Sequence, residues 1–413
     1  MPAKNARLPI FKFFHLIQPM VEEKDVINLV NNNKCKLKEI LKTLVSANTV
    51  NPPGNETLLA NNVANIFRKH KIKYRTLSKS KNRANIVATI GKGRKELLFA
   101  AHSDTVPADL KLWKTNPFVL AEKNGRFYGR GVDDDKGPAA SAILSFILLK
   151  KFEKKLNCKV SLAITADEEH GSKNGMQYLI DNNLITPDYA VVLDTGHELK
   201  AVSLGEKGIL RLRITSFGKS AHASRPFEGI NAITNASYLI CELQKLKFKH
   251  TRQKLFSKPT FNVGTIKGGS ATNVVPDSCE FTLDVRYLPG QNSKEIINSI
   301  KKLILNVQRK SKKSRFKVAV LMDELPFLSS ADNDFLGILS DSAKKITGKK
   351  IKHIALSGGT DTRRLAHAGI SSIGFGAGNN QAHKNNESIE VKQLVDLTKI
   401  ILLAAFGFSE KFS

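Results

Sequence analysis

Three short clusters of acidic and histidine residues, each beside an apolar or glycine-bounded run, constrain this sequence more than any other feature. They lie between residues 100 and 170 and read AAHSDTV, GRGVDDDKG and TADEEHGS. Crowded carboxylates repel one another unless a positive charge joins them. Mixed histidine and carboxylate ligands suit zinc and related divalent ions. Each cluster alone is weak evidence, because acidic loops are common on surfaces, but together they predict a metal site.

The spacing inside two of these clusters suggests different roles for neighbouring side chains. His102 and Asp104 are two residues apart, so on a strand they share a face. The carboxylate can then hold the second imidazole nitrogen and fix its tautomer. Glu168 and Glu169 are adjacent, so on an extended backbone they point to opposite sides. One can bind a metal ion while the other faces a bound water as general base, as a hydrolase requires.

Strand-like and helix-like runs alternate around the clusters. This alternation predicts an α/β fold with a mostly parallel sheet that is covered on both faces. In such sheets, ligands lie beyond the carboxyl ends of the strands. His102, Glu168, Glu169 and Asp194 all fall at predicted strand ends. We therefore expect these four side chains to be neighbours.

Local signals place three further elements. Apolar residues at helical spacing predict a helix over residues 21–47 and a second one over 57–70. Asn124 and Gly125 lie between two short strand patterns and predict a tight hairpin turn, because both residues tolerate positive φ angles. This hairpin leads directly into the aspartates at 133–135.

The order of elements changes after residue 207. A chain of 413 residues is too long for one ordinary core, and residues 208–321 read as β-α-β-β-α-β, which is the ferredoxin-like arrangement. Helix and strand then alternate again. We therefore predict a discontinuous metal-binding domain, residues 1–207 and 322–413, that is interrupted by an inserted α+β domain.

A late histidine completes the set of candidate ligands. His383 lies in a loop rich in glycine and asparagine that follows the strand pattern SSIGFG. His353 and His367 lie beside apolar helix or strand positions, where a structural or exposed role is the more usual one. We therefore favour His383 as the ligand.

Charge and composition limit the other classes of function. The chain has 65 basic and 37 acidic residues, a net charge of +28, but lysines recur along its whole length and no nucleic-acid-binding motif accompanies them. No apolar stretch is long enough to span a membrane, and no cleavage site follows the N-terminal segment. The four cysteines lack metal-type spacing. A cytoplasmic protein without a nucleic-acid or membrane partner is the expectation.

The clusters, in this order, resemble a family of dinuclear zinc enzymes. The family includes aminoacylases, acetylornithine deacetylase, succinyl-diaminopimelate desuccinylase, glutamate-releasing carboxypeptidases and bacterial dipeptidases, and the resemblance runs from RANIVATIG to AHKNNE. It implies two zinc ions, for which cobalt or manganese can substitute. The family roles fall on His102 and Asp194 for one ion, Glu169 and His383 for the other, and Asp134 as the bridge.

The resemblance also implies the catalytic apparatus. Glu168 corresponds to the general base that activates a water held between the two ions, and Asp104 corresponds to the partner of His102. In relatives of this kind the peptide bond that joins Asp134 to Asp135 is cis. The expected enzyme is thus a metal-dependent amidohydrolase or metallopeptidase.

The inserted domain resembles the family's lid and dimerisation module. SAHASRP supplies His222, which in relatives reaches the site of a partner subunit and stabilises the oxyanion, so the resemblance implies a homodimer. Asn273 and Arg286 match substrate-contacting positions, and Arg286 can hold a carboxylate with two hydrogen bonds. Gly358 and Gly359 would let the backbone approach the ligand closely.

The substrate class is less sharply defined by the motifs. RANIVATIG and SGGTDTR resemble desuccinylases and deacetylases, although desuccinylases usually carry glutamate where this chain has Asp194. GRGVDDDKGP and GEKGI resemble the dipeptidase branch. We expect a deacylase of N-acyl amino acids, with a dipeptidase or carboxypeptidase acting on short peptides as the alternative. A binding protein that keeps the scaffold without catalysis is the third reading, and the complete ligand set argues against it.

Overall fold

The computed structural model describes residues 21–310, 313–329, 334–379 and 381–412. The N-terminal segment, where we predict no cleavage site, lies outside these residues. The helices are α1 (Glu23–Asn31), α2 (Lys34–Ser46), α3 (Glu56–Lys69), α4 (Lys136–Leu149), α5 (Met176–Asp181), α6 (Ala232–Leu243), α7 (Ser293–Lys310), α8 (Asp334–Thr347), α9 (Asp361–His367) and α10 (Val391–Lys411). The strands are β1 (Tyr74–Ser78), β2 (Ala84–Gly91), β3 (Glu96–His102), β4 (Ala121–Lys123), β5 (Arg126–Tyr128), β6 (Lys159–Thr165), β7 (Tyr189–Val192), β8 (Ala201–Glu206), β9 (Gly208–Phe217), β10 (Thr260–Gly268), β11 (Ser278–Tyr287), β12 (Arg315–Glu324), β13 (Phe327–Leu328), β14 (Lys352–Leu356), β15 (Ser371–Gly374) and β16 (Ser388–Glu390).

A large central sheet carries the strands that lead into the acidic clusters. Its strand order is β1-β2-β6-β3-β7-β15-β8-β13, and β14 pairs with β8. The middle strands β6, β3, β7 and β15 run parallel to one another, whereas β1, β2 and β13 are paired antiparallel towards the two edges. The predicted α/β class with a mostly parallel central sheet is confirmed.

Helix α4 fixes the segment that carries the three aspartates. Each of its residues is buried, from Lys136 to Leu149, and it packs against α2, α10 and the sheet. A helix that is apolar on all sides is stable only in such an interior position. The buried Lys136 ammonium donates a hydrogen bond to the Ala47 carbonyl at 2.8 Å. The start of the helix, and with it the preceding aspartates, is therefore held on several sides.

The second sheet has the order β10-β11-β9-β12, with every neighbouring pair antiparallel. Helices α6 and α7 pack on one face of it, around a core that includes Leu212, Phe281 and Ile300. The sequence of elements is β9-α6-β10-β11-α7-β12, which confirms the predicted separate antiparallel unit. We call β9–β12 with α6 and α7 the lid.

Two local predictions have different outcomes. Asn124 and Gly125 have φ angles of 52° and 69°, and they join β4 to β5 as the predicted hairpin turn. The helix expected over residues 21–47 is two helices instead. Asn33 leaves helical geometry at φ −117°, and its amide donates to the Leu29 carbonyl at 2.8 Å, so the side chain satisfies a group at the end of α1.

Within the described residues, no helix combines the length and apolar character that crossing a membrane requires.

Candidate metal centre

The predicted ligands come together at the carboxyl ends of the parallel strands. His102 ends β3, Glu169 follows β6, Asp194 follows β7, His383 lies in the loop after β15, and Asp134 directly precedes the residue that caps α4. Neighbouring parallel strands end at the same edge of a sheet, so residues far apart in the chain converge there. This is the place in the fold where we expect the site.

Asp134 lies between the two histidines. Its Oδ1 is 2.7 Å from His102 Nε2, and its Oδ2 is 3.2 Å from His383 Nε2. The peptide bond between Asp134 and Asp135 is cis, as the resemblance implies. Each oxygen of one carboxylate thus faces a different histidine, which is the arrangement that a bridging ligand needs.

The remaining two carboxylates each lie near one of the histidines. Asp194 Oδ2 is 4.0 Å from His102 Nε2, and Glu169 Oε2 is 3.1 Å from His383 Nε2. Ligand atoms of His102, Asp134 and Glu169 lie within 4.8 Å of one another and form one candidate metal-binding group. Imidazole nitrogen with carboxylate oxygen suits zinc, cobalt and manganese alike, so the residues fit a divalent ion without selecting one.

Glu168 belongs to a second candidate group, together with His102 and Asp194. Its carboxylate is therefore close enough to bind a metal ion as well as to act on a water beside one. Paired glutamine substitutions at Glu168 and Glu169 would distinguish these two roles.

The charges of the cluster are poorly balanced without a cation. Burial raises the pKa of Asp194 well above its usual range, and the negative charge of Asp134 raises it further. Burial also raises the pKa of Glu168, and Asp361 and Glu169 add to this effect although His102 opposes it. A divalent cation would stabilise the ionised form of all these groups.

Among the groups that shift the pKa of Asp134, the two histidines are the ones that favour its negative charge. Burial favours the neutral acid, but hydrogen bonds with His102 and His383 outweigh it and hold the pKa of Asp134 below its usual range. The same contact with Asp134, together with that of Glu169, raises the pKa of His383 to about 10. Asp134 thus lies where a neighbouring positive charge is stabilised.

Asp104 contacts His102, as the sequence predicts, and it also supports a second part of the site. His102 Nδ1 is 3.1 Å from the Asp104 backbone oxygen and 3.5 Å from its carboxylate, so the backbone oxygen is the nearer acceptor. The carboxylate also accepts the backbone N–H groups of Glu168 and Glu169, at 3.0 and 3.2 Å. Its main role in this structure is to fix the segment that carries both glutamates.

Sequence reasoning missed a further layer of polar residues around this segment. The Asn51 amide donates to Asp104 at 2.9 Å and to Asp167 at 3.1 Å. Arg83 donates to Asp167 at 2.8 Å and pairs with the buried Glu56 at 2.7 Å. Asp167 was visible as part of the acidic cluster, but nothing in the sequence links it to positions 51 and 83.

The predicted substrate-contacting residues lie on the lid and on the loop before α9. His222 is exposed and its Nδ1 lies 2.7 Å from Ser224 Oγ, while the exposed Asn273 accepts the Ala223 N–H through its backbone oxygen at 3.0 Å. Arg286 pairs with Asp284 at 2.6 Å and donates to the Ser357 carbonyl at 2.9 Å. Arg286 therefore joins the lid to the loop that contains Gly358 and Gly359.

The two glycines differ in their surroundings. A Cβ at Gly358 would meet no atom within 4 Å, so packing inside the chain does not require glycine at that position. A Cβ at Gly359 would lie 2.9 Å from an Arg363 nitrogen. Both residues are exposed, as a ligand-facing loop requires.

Comparison with known proteins identifies the family of this chain. Residues 98–406 match the Peptidase family M20/M25/M40. An uncharacterized metallohydrolase of Methanocaldococcus jannaschii is 32% identical over 345 residues, covering 77% of this chain and 82% of that protein. A succinyl-diaminopimelate desuccinylase of Sulfurimonas denitrificans is 29% identical over 317 residues, covering 74% and 83%.

A solved structure shares the fold at lower identity. The tripeptidase of Staphylococcus aureus superimposes with a TM-score of 0.75 at 21% identity, and the match covers 92% of this chain and 99% of that one. A dinuclear metal site is typical of the family, and the cluster of His102, Asp134 and Glu169 is a candidate for it. The chain is a metallohydrolase that belongs to Peptidase family M20/M25/M40.

Proposed function

We propose that this enzyme removes the acyl group from an N-acyl amino acid, in the manner of acetylornithine deacetylases and succinyl-diaminopimelate desuccinylases. His102 and Asp194 would hold one metal ion, Glu169 and His383 would hold the other, and Asp134 would serve both. The observation that carries this proposal is the position of Asp134, whose two oxygens face His102 at 2.7 Å and His383 at 3.2 Å. We expect zinc in both positions, with cobalt or manganese as substitutes.

The side chains divide the chemistry between them. When bound, the two ions would polarise the amide carbonyl and lower the pKa of a water. Glu168 takes the proton of the attacking water and later gives it to the leaving nitrogen. Asp104 keeps Glu168 in place through the backbone N–H of that residue, at 3.0 Å. Asn273, Arg286, Gly358 and Gly359 contact the substrate, with Arg286 on its carboxylate.

The choice of a deacylase over a peptidase rests on sequence similarity. The desuccinylase of Sulfurimonas denitrificans aligns over 74% of the chain at 29% identity, whereas the tripeptidase is similar in fold at 21% identity. A dipeptidase or carboxypeptidase remains the second candidate, which the GRGVDDDKGP and GEKGI motifs favour.

A substrate panel tests the choice between these two. We expect the zinc-loaded or cobalt-loaded protein to hydrolyse N-acetylornithine or N-succinyl-diaminopimelate with a kcat/KM at least about tenfold above that for any member of a dipeptide set, a difference of about 1.4 kcal/mol in transition-state binding. Release of the free amine is measured for each compound. A higher kcat/KM for a dipeptide would mean that the enzyme is a peptidase and not a deacylase.

We also propose that the active unit is a homodimer in which His222 completes the site of the partner subunit. The lid sheet has β10 and β12 at its two edges, and these strands expose Ile266 and Val320 at 53% and 52%. An open edge with exposed apolar side chains favours pairing with another chain. The exposed position of His222 on the lid agrees with a role outside its own chain.

Mixing two inactive variants tests this arrangement. His222→Ala chains and Glu168→Gln chains are each expected to be inactive, but a heterodimer has one site with both defects and one site with neither. Activity should therefore return to about a quarter of the wild-type value after complete random exchange of subunits, because half of the dimers are mixed and each has one intact site. Heterodimers that form without any recovery would place His222 in its own site or in none.

A further inference from the structure

Two loops meet beside the candidate metal ligands. The aspartate loop, residues 129–135, carries Asp134, and the histidine loop, residues 376–379 and 381–387, carries His383. The two ligands are 3.2 Å apart, although they belong to segments about 250 positions apart in the chain. Each loop also carries a buried carboxylate for which the proposed chemistry has no use: Asp133 in the first and Glu387 in the second.

Glu387 of the histidine loop holds the backbone of the aspartate loop. It is fully buried and accepts the N–H groups of Gly131 at 2.9 Å, Asp133 at 2.8 Å and Asp134 at 3.1 Å. Arg130 of the aspartate loop adds an ion pair at 2.8 Å. One of the three backbone donors is thus the N–H of a proposed metal ligand.

Asp133 of the aspartate loop does the same for the histidine loop. Its carboxylate accepts the N–H groups of Asn379 at 3.1 Å, Gln381 at 2.8 Å and Ala382 at 3.0 Å. The close approach depends on Gly378, where a Cβ would lie 2.7 Å from Asp133 Oδ1. The last of these donors, Ala382, directly precedes His383.

The backbone of His383 needs such support. Its φ angle is +64°, in the left-handed region that a residue with a side chain rarely adopts unless its surroundings fix it. The imidazole itself is exposed, so packing around the ring does not determine where it points. The hydrogen bonds of Asp133 to the preceding backbone therefore add to the contacts of the ring with Asp134 and Glu169 in holding this histidine in place.

We propose that Asp133 and Glu387 form a reciprocal clamp that positions Asp134 and His383 for the metal ion held by His383 and Glu169. Each carboxylate belongs to one loop and binds the backbone of the other, so neither loop can shift without breaking charged hydrogen bonds. Both are positioning residues. The inference rests on the proposed metal-ligand roles, but it assigns new roles to two residues outside the ligand set.

Metal titration of Asp133→Asn tests the clamp. Asparagine keeps the size of the side chain, but one carboxylate oxygen is replaced by an NH2 group. This group cannot accept a hydrogen bond from the backbone N–H groups that the oxygen accepted. Substitution of a residue that orients a metal ligand typically lowers metal affinity about 10–100-fold. We expect affinity for one of the two ions to fall by this factor, while affinity for the other stays within about twofold. The apoprotein should keep the circular dichroism spectrum of the wild type.

Cobalt spectra identify which ion is weakened. At one equivalent of cobalt, the visible absorption spectrum of Asp133→Asn should match that of His383→Ala, because both retain only the ion held by His102 and Asp194. Asp188→Asn is a matched control, since Asp188 also accepts a backbone N–H, from Glu96 at 2.9 Å, but at the opposite end of the sheet. The control should bind both ions like the wild type.

Each other outcome has a separate meaning. A wild-type protein that binds fewer than two ions would contradict the proposed function itself. Two ions bound normally by Asp133→Asn, or two ions weakened equally, would contradict the clamp alone. An unfolded Asp133→Asn apoprotein would assign Asp133 to stability and would also contradict the clamp.

Discussion

Asp134→Ala is expected to remove both metal ions from the protein. In this structure the two oxygens of Asp134 face the two histidines of the proposed ligand set, and no other carboxylate in the described part of the chain is found within hydrogen-bonding or ion-pairing distance of both rings. Loss of a single oxyanion donor typically costs about 10²–10³ in rate. Loss of both ions should therefore lower kcat by at least about a thousandfold.

The comparison with Asp194→Ala makes this expectation specific. Asp194 lies 4.0 Å from His102 Nε2, whereas the ion pairs of His383 are with Asp134 and Glu169, so removal of Asp194 should weaken one ion and leave the other bound. Metal analysis after dialysis against zinc should give about two ions for the wild type, about one for Asp194→Ala and close to none for Asp134→Ala. Equal losses in the two variants would mean that Asp134 does not bridge.

The residues on the sheet were within reach of sequence reasoning because their positions follow from periodicity. A buried strand pattern ends at His102, and others end before Glu168 and before Asp194. Once the pattern indicates parallel strands, their carboxyl ends must adjoin, so the neighbourhood of these side chains follows without any structure. His383 required a different signal, the glycine- and asparagine-rich loop around it.

The hydrogen bonds that hold these ligands in place could not be predicted from the sequence. Asp133 and Glu387 are separated by 254 positions, and neither has a periodic pattern that points to the other. Apart from the ion pair between Arg130 and Glu387, the hydrogen bonds described for these carboxylates go to backbone N–H groups, which every residue except proline carries, so these partner positions leave no trace in side-chain identity. The same reason explains why the sequence linked Asp104 to His102 but not to the backbone N–H groups of Glu168 and Glu169, which its carboxylate also accepts.

Glu168→Gln is expected to lower kcat by at least about a hundredfold while both metal ions remain bound. A general base typically contributes about 10²–10⁴ in rate, and glutamine keeps the shape of the side chain but cannot accept a proton. Glu169→Gln should instead lose the ion that it shares with His383, because its carboxylate lies 3.1 Å from the His383 imidazole. Metal content and kcat, measured on the same preparations, separate the two effects.

This pair of variants distinguishes the general base from the metal ligand. Glu168 and Glu169 each belong to one candidate metal-binding group with His102, so either carboxylate is placed to bind a metal ion. Their surroundings differ, since Glu169 contacts His383 whereas burial and the neighbouring Asp361 raise the pKa of Glu168. Exchanged phenotypes, with metal lost in Glu168→Gln and retained in Glu169→Gln, would make Glu169 the base and Glu168 the ligand.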